Sequence, residues 1–449
     1  MNVIDPAAAL VEPDLADAIH RLRNTSVLVI GDVMLDRYVY GEVTRISPEA
    51  PVPILMVDRE IAMPGGAGNV VRNLTALGAA VAFISVVGDD GAGSELTGLV
   101  GGQPNVEPWL LVQGGRTTTV KTRYLSAGQH LLRADREQDT PIHPKLAERL
   151  ARIARDAMAA TSVTVLSDFR KGLLAGELPA QLIAAARSAG RKVVVDPKGP
   201  DYARYSGADV IMPNRTDLAE ATGMRTDSEA AIVAAAHALR QRHGFGAVLV
   251  TRGNDGMTLL DGDEVRHYPA EAVEVYDIAG AGDTAAAMLA ASLAAGVDMA
   301  VAARLANVAA GVVVGKVGTA VVREADLLAA LSPAAGTFRK IVSSDAAVEH
   351  AQRWHHKGWR VGFTSGCFDP LEPNDARALE DARASCDRLV VGLRSDAGVR
   401  REKGSGHPRQ TETARAAMLA SLASVDLVCV FDEESPDALI AALRPDLVT

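Results

Sequence analysis

Six short runs of apolar, largely β-branched residues recur through the first half of the chain, and their spacing leaves few folds open. Ser26–Gly31, Val81–Val87, Ser162–Ser167, Lys192–Asp196, Ala208–Met212 and Gly246–Thr251 are strand-length and bounded by turn residues, the pattern of strands covered on both faces. Between them, Lys145–Ala160, Leu178–Ala189 and Asp227–His243 repeat apolar residues at helical spacing. That order predicts an α/β fold: a mostly parallel sheet wrapped by helices, with ligands gathered at the carboxyl ends of the strands. Tyr38–Val57 and Thr117–Arg133 break the alternation and predict a small separate β sheet that acts as a lid.

At 449 residues the chain exceeds the length that one hydrophobic core serves, so at least two domains are expected. Ser332-Pro-Ala-Ala-Gly-Thr-Phe338 interrupts the pattern, and we place the domains at 1–335 and 346–449 with a linker at 336–345. Acidic residues outnumber basic ones by 56 to 46, which argues against a general nucleic-acid binder. The run Thr284–Val297 is too short to span a bilayer, and the acidic start (Asp5, Glu12, Asp14, Asp17) lacks the basic and apolar segments of an export signal. Three distant cysteines, Cys367, Cys386 and Cys429, suggest neither a disulfide framework nor a zinc site. A cytoplasmic enzyme acting on small molecules is expected.

Asp277-Ile-Ala-Gly-Ala-Gly-Asp-Thr284 leads into an Ala-rich helical stretch. Gly280 and Gly282 permit a tight turn and close approach of a ligand. The helix that follows would aim unpaired N–H groups and its positive dipole end at whatever the turn holds, favouring phosphate. Asp283 then has two readings, a general base for a substrate hydroxyl or a helix cap that stabilises by ~1 kcal/mol. Pro64-Gly-Gly-Ala-Gly-Asn69 precedes a predicted helix at Val70–Leu77, while Asp196-Pro-Lys-Gly199, Pro213–Asp217 and Thr251–Gly256 follow predicted strands. Each alone reads equally well as a cap or turn; together they mark the rim of one cleft.

In these motifs, and in Gly31–Tyr38, Arg45-Ile-Ser-Pro-Glu-Ala-Pro-Val-Pro53 and Asn307–Gly318, residues 20–330 resemble the ribokinase-like carbohydrate kinases. Within that family they are similar to the bifunctional kinase/adenylyltransferases of ADP-heptose biosynthesis. The resemblance implies that ATP and Mg²⁺ are used to phosphorylate the anomeric hydroxyl of D-glycero-β-D-manno-heptose 7-phosphate, for a lipopolysaccharide core or a specialised metabolite. Asp283 becomes the catalytic base, and the amides of Gly280, Ala281, Gly282 and Asp283 steady the moving phosphoryl group. Lys198, Asn214, Arg215, Thr216, Asp217, Thr251, Gly253 and Asn307 are implied at the nucleotide, with Asp217 also at the metal, directly or through water. Asp32, Asp36, Gly65, Gly66, Asn69 and Asp168 are implied at the sugar, and Lys121, Arg133 and Lys171 are nominated for its phosphate. A lid-to-lid homodimer is a further expectation of the resemblance.

Gly366-Cys-Phe-Asp369, Asp387–Asp396, Ala423–Asp432 and Leu443-Arg-Pro-Asp446 resemble the adenylyltransferase half, a Rossmann-like domain of cytidylyltransferase type. That family carries His-x-Gly-His after Phe-Asp, where this chain has Glu372, Pro373, Asn374 and Asp375. A carboxylate ~4 Å from a phosphate charge costs about 4 kcal/mol at an effective dielectric of about 20. The sequence ends at Thr449, ahead of the Ser/Thr-rich phosphate motif of that family. A catalytically inert second domain is therefore expected, retained for stability, dimer contacts or docking of a separate adenylyltransferase. The alternatives are an active second domain with a metal gathered by Glu372 and Asp375, and a first domain that phosphorylates another sugar.

Overall fold

The computed structural model describes residues 13–127, 129–270, 275, 277–316, 319–331, 340–356, 358–404, 406–433 and 435–449. The chain divides into two compact units, Met1–Leu331 and Ser332–Thr449.

In the first unit the predicted runs become the centre of a nine-stranded sheet. Its order is Glu264–Tyr268, Met257–Asp261, Ala247–Thr251, Val210–Ile211, Lys192–Asp196, Val163–Ser167, Ser26–Gly31, Ala80–Gly88 and Val106–Gln113. All neighbours run parallel except at one edge, where Met257–Asp261 pairs antiparallel with both Ala247–Thr251 and Glu264–Tyr268. Alternation along a strand sends side chains to opposite faces. Val27 and Val29 therefore join the core that covers one face, and Leu28 and Ile30 the core on the other. The first core includes the helix Ala281–Ala294, buried from Asp283 to Leu293. A helix apolar on every side belongs in an interior, and its small alanines let it lie between the sheet and the helix Met299–Val314. The second core is closed by helices that include Pro144–Ala160 and Leu178–Ser188.

The two segments that break the alternation form a second sheet of four strands, ordered Pro53–Gly66, Val33–Ile46, Val120–Ser126 and Gln129–Arg136. Its inner pair is parallel and its outer pairs antiparallel. The last of these strands is exposed at every position.

The second unit has a parallel sheet ordered Ile341–Val342, Leu427–Phe431, Arg388–Arg394, Val361–Gly366 and Leu447–Val448, with cores on both faces. Part of the expected linker belongs to this unit. Ile341–Val342 is an edge strand and Ser344 begins a helix, while 336–339 lie outside the described residues. The strand forms because Ile341 and Val342 pair with Val428 and Cys429, a partnership that local composition does not reveal. Among the described residues, no helix is long and apolar enough to cross a membrane.

Candidate active site

A cavity of about 860 Å³ opens where the parallel strands of the first unit end. Asp196 ends the strand Lys192–Asp196 and Thr251 ends Ala247–Thr251, and both line it. The start of the helix Ala281–Ala294 forms a third wall, and Asn307, Gly311 and Val314 of the next helix a fourth. Every nucleotide candidate named from the sequence except Asp217 lines this space, as does Asp283.

The turn before the buried helix is held by glycine for two reasons. Gly280 has φ +80°, and a Cβ there would come within 2.5 Å of Asn69 Nδ2. An α-helix leaves its first N–H groups without partners in the helix. The Ala281 N–H reaches back to the Ile278 carbonyl, so those of Gly282 and Asp283 remain for a ligand. A Cβ on Gly282 would meet nothing within 4 Å, which marks open space beside those amides.

Asp283 sits in the first turn, 8% exposed, and accepts a hydrogen bond from Asn69 Nδ2 at 3.0 Å. Burial, reinforced by the nearby Asp196 charge, pushes its carboxyl up to about 7, against the pull of the Asn69 hydrogen bond. A carboxyl poised there can take a proton near neutrality. The Asn69 amide is itself oriented, because Arg72 Nη1 donates to its Oδ1 at 3.2 Å and also to the Thr319 carbonyl at 2.9 Å. The resemblance nominates Asn69 for a sugar hydroxyl; in the structure its side-chain nitrogen donates to Asp283.

Asp196 is the second raised acid, lifted to about 6 by burial, with Lys198 opposing and Asp217 and Asp168 adding. Lys198 Nζ donates to Asp217 Oδ2 at 3.0 Å. Burial works against the Lys198 charge, but Asp196 and Asp217 outweigh it and hold the ammonium above its usual value. The Asp217 amide in turn bonds to Asn214 Oδ1 at 2.7 Å, the side chain that caps the helix Arg215–Thr222. The motifs alone give Asp196 no role; its place at a strand end is the signal that could have found it.

A second cavity, about 750 Å³, shares Phe169 and Lys198 with the first and is lined by Lys121, Asp168 and Lys171, but not by Arg133. Arg133 faces outward on the exposed strand and pairs with Asp135 at 3.0 Å, so it does not join the two lysines. Lys121 and Lys171 converge instead on Glu137 Oε2, at 3.0 and 2.9 Å.

The acids nominated for sugar hydroxyls have partners inside the protein. Asp32 accepts the N–H groups of Phe169, Lys171 and Leu173 at 3.0, 3.0 and 3.2 Å, which fixes that loop. Its carboxyl is raised to about 6 by burial and then by Asp168, with those three N–H groups pulling the other way. Asp168 accepts from Tyr205 Oη, Arg204 Nη2 and the Arg170 amide at 2.5, 2.8 and 2.7 Å. Asp36 is paired with Arg123 Nη1 at 2.6 Å, and its other oxygen lies where a Cβ on Gly65 would fall. Gly66 starts the helix Ala67–Ala76 at φ +58°.

In the second unit, Asp375 Oδ2 accepts the Glu372 amide at 2.9 Å, closing the start of the helix Pro373–Ala384. The loop before it is tied from inside. Asp369 accepts from His407 Nδ1 and from the amides of Arg409 and Gln410 at 2.9, 2.7 and 3.1 Å. Burial resists its charge, but these donors pull its carboxyl down to about 2. Arg415, 1% exposed, donates to the Cys367 and Gln410 carbonyls and to Asp396.

A parallel sheet with a β lid, a glycine turn at a helix start and a buried acid beside it define a carbohydrate kinase. Residues 24–325 match the pfkB family carbohydrate kinases, and the chain belongs to that family. Residues 363–449 match the cytidylyltransferase-like family. The chain is 65% identical over 97% of its length to Bifunctional protein HldE of Acidiphilium cryptum (strain JF-5), covering 90% of that protein. It is 53% identical to Bifunctional protein HldE of Paramagnetospirillum magneticum (strain ATCC 700264 / AMB-1), at 97% and 90% coverage. Among solved structures, Arabidopsis thaliana ribokinase complexed with ribose and ATP superposes with TM-score 0.55 at 21% identity, over 68% of this chain and 98% of that one. Escherichia coli phosphofructokinase-2 in complex with potassium gives 0.57 at 20%, over 69% and 99%. At these identities the structures speak to the fold.

Proposed function

We propose that the first unit transfers the terminal phosphoryl group of ATP to the anomeric hydroxyl of D-glycero-β-D-manno-heptose 7-phosphate. The observation that carries this reading is Asp283, buried at the cavity wall with a carboxyl raised to about 7 and one oxygen held by Asn69. Its other oxygen takes the hydroxyl proton as the oxygen attacks phosphorus. The Gly282 and Asp283 amides receive the charge of the transferring group, in the space left by the missing Gly282 side chain. Lys198 steadies the same charge. ATP suits the larger cavity, whose apolar wall (Met212, Met257, Val314) can take a base while its other end holds amides and a cation. Among the described residues no group of three or more His, Cys, Asp or Glu could hold a metal alone, which suits Mg²⁺ carried on the nucleotide with Asp217 reached through water. When bound, Mg²⁺ neutralises phosphate charge.

The choice of heptose 7-phosphate rests on the Arg45–Pro53 string and on the two lysines in the adjoining cavity. The second unit, in this reading, performs no adenylyl transfer. Two acids stand where imidazoles would hold phosphate, and Asp375 is spent on the Glu372 amide. The test is direct: incubation with ATP, Mg²⁺ and candidate sugars, followed by phosphorus NMR, should show a new anomeric phosphate on heptose 7-phosphate. Preference for an unphosphorylated sugar overturns the substrate. Pyrophosphate released from ATP and heptose 1-phosphate overturns the inert second unit.

A further inference from the structure

We infer that Glu137 is a specificity-determining residue: its carboxylate fills an anion site between Lys121 and Lys171, and a phosphate monoester on the acceptor enters by displacing it. Both lysine side chains are only 16% exposed, come from different elements, and meet the same carboxylate oxygen. Glu137 is the partner able to leave. It follows the last lid strand, outside regular structure, and its side chain is 37% exposed.

The lysines have independent anchors that would hold them once it has gone. Lys121 keeps its bond to Asp135 Oδ2 at 2.9 Å, and Asp135 is braced by Arg133. Lys171 is held through its backbone, the amide by buried Asp32 and the carbonyl by buried Arg116. The site is thus built to outlast its internal occupant. A phosphate monoester offers up to two charges and three acceptor oxygens where Glu137 offers one charge. A neutral hydroxymethyl group in the same place offers one acceptor oxygen but no charge to replace the carboxylate, so an unphosphorylated sugar would face Glu137 in position. The two lysines lie in the cavity that shares Phe169 and Lys198 with the nucleotide cavity, the side from which an acceptor would present its far end.

This inference rests on the reading of the acceptor as a sugar phosphate, and the experiment separates the two. Inorganic phosphate is titrated calorimetrically, without turnover, into the full-length parent, Glu137→Gln, and Glu137→Gln with Lys121→Met. Freeing two partly exposed ion pairs corresponds to roughly a tenfold gain in phosphate affinity. That gain is expected in Glu137→Gln and should vanish in the double variant. Unchanged or weaker binding in Glu137→Gln, or a gain that survives loss of Lys121, overturns the proposal. If Glu137→Gln fails to fold, Glu137→Asp, whose shorter arm cannot reach both lysines, should gain a few-fold; no gain there overturns it equally. A parent that prefers unphosphorylated sugars while Glu137→Gln still gains phosphate affinity defeats the substrate assignment and leaves the anion site standing.

Discussion

Replacing Asp283 by Asn removes a buried charge and the proposed base in one step, and the two effects have opposite signs. The carboxyl is raised from 3.8 to about 7, mainly by burial. Between those values the folded chain keeps a proton that the unfolded chain releases, so stability falls as pH rises through that window and is flat above it. A rise of that size corresponds to ~4 kcal/mol at most. A neutral Asn stands in for the protonated acid and can still accept from Asn69 Nδ2. Asp283→Asn should therefore match the parent near pH 4 and exceed it at pH 8 by up to ~4 kcal/mol, a rise in the first unit's melting temperature on the order of 10 °C. Phosphoryl transfer, followed by ADP release, should fall by roughly 10²- to 10⁴-fold. Thermal unfolding at both pH values, paired with turnover at pH 8, tests both. An Asp283→Asn protein as active as the parent, or less stable than it at pH 8, would refute the assignment of Asp283 as a buried base.

Gly282→Ala should leave the helix intact or steady it by up to ~1 kcal/mol, since Ala is the better helix former. Its methyl would occupy the open space beside the amides, so kcat/KM for ATP should drop by about tenfold or more; parental kinetics in Gly282→Ala would show that nothing binds there. Arg72→Met frees the Asn69 amide to turn its oxygen toward Asp283, and the acid limb of the kcat/KM profile should move to higher pH. A profile that stays put, with only thermal stability changed, would reduce Arg72 to a structural tie. In the second unit, Asp369→Asn weakens a charge-assisted set of three hydrogen bonds and should destabilise that unit by on the order of 2 kcal/mol, read from Trp354 and Trp359 fluorescence. Because the Asp369 carboxyl is depressed to about 2, its stabilisation is complete above the unfolded value and disappears as pH falls through that depressed one. The same Asp369→Asn protein should therefore show a flattened acid limb in that unit's unfolding curve.

The central strands are legible in the sequence because fully buried strands leave continuous apolar runs: Val193–Val195 are wholly inaccessible, and Lys192–Asp196 has the ends read from sequence. The edge hairpin is not, since Glu264, Arg266 and His267 face solvent and dilute the pattern. At the site, the glycine turn announces itself locally. The internal ties of Asp32 and Asp168 stay hidden because a sequence displays an acid without showing what surrounds it, and three donors apiece converge on these two. Long-range pairs leave no local trace: Asn69 and Asp283 are 214 residues apart, and Lys121 and Glu137 meet only because adjacent lid strands bring them together.

The inertness proposed for the second unit is compatible with an intact frame. What holds its first loop lies inside: Asp369 gathers His407, Arg409 and Gln410, and buried Arg415 joins Cys367, Gln410 and Asp396. Residues 372–375 lie largely outside that network, at the solvent-facing start of a helix. Acids at a helix start are favoured by its dipole, and Asp375 closes the first turn through the Glu372 amide. Acids that would repel a nucleotide phosphate therefore cost the fold little here, and the helix dipole gives them a stabilising sign. Replacing them should reveal that sign: Glu372→His with Asp375→His is expected to weaken the second unit slightly, by roughly 0.5–1 kcal/mol, and a double variant that is clearly more stable would mean that the acids are tolerated there for some reason other than the helix they begin.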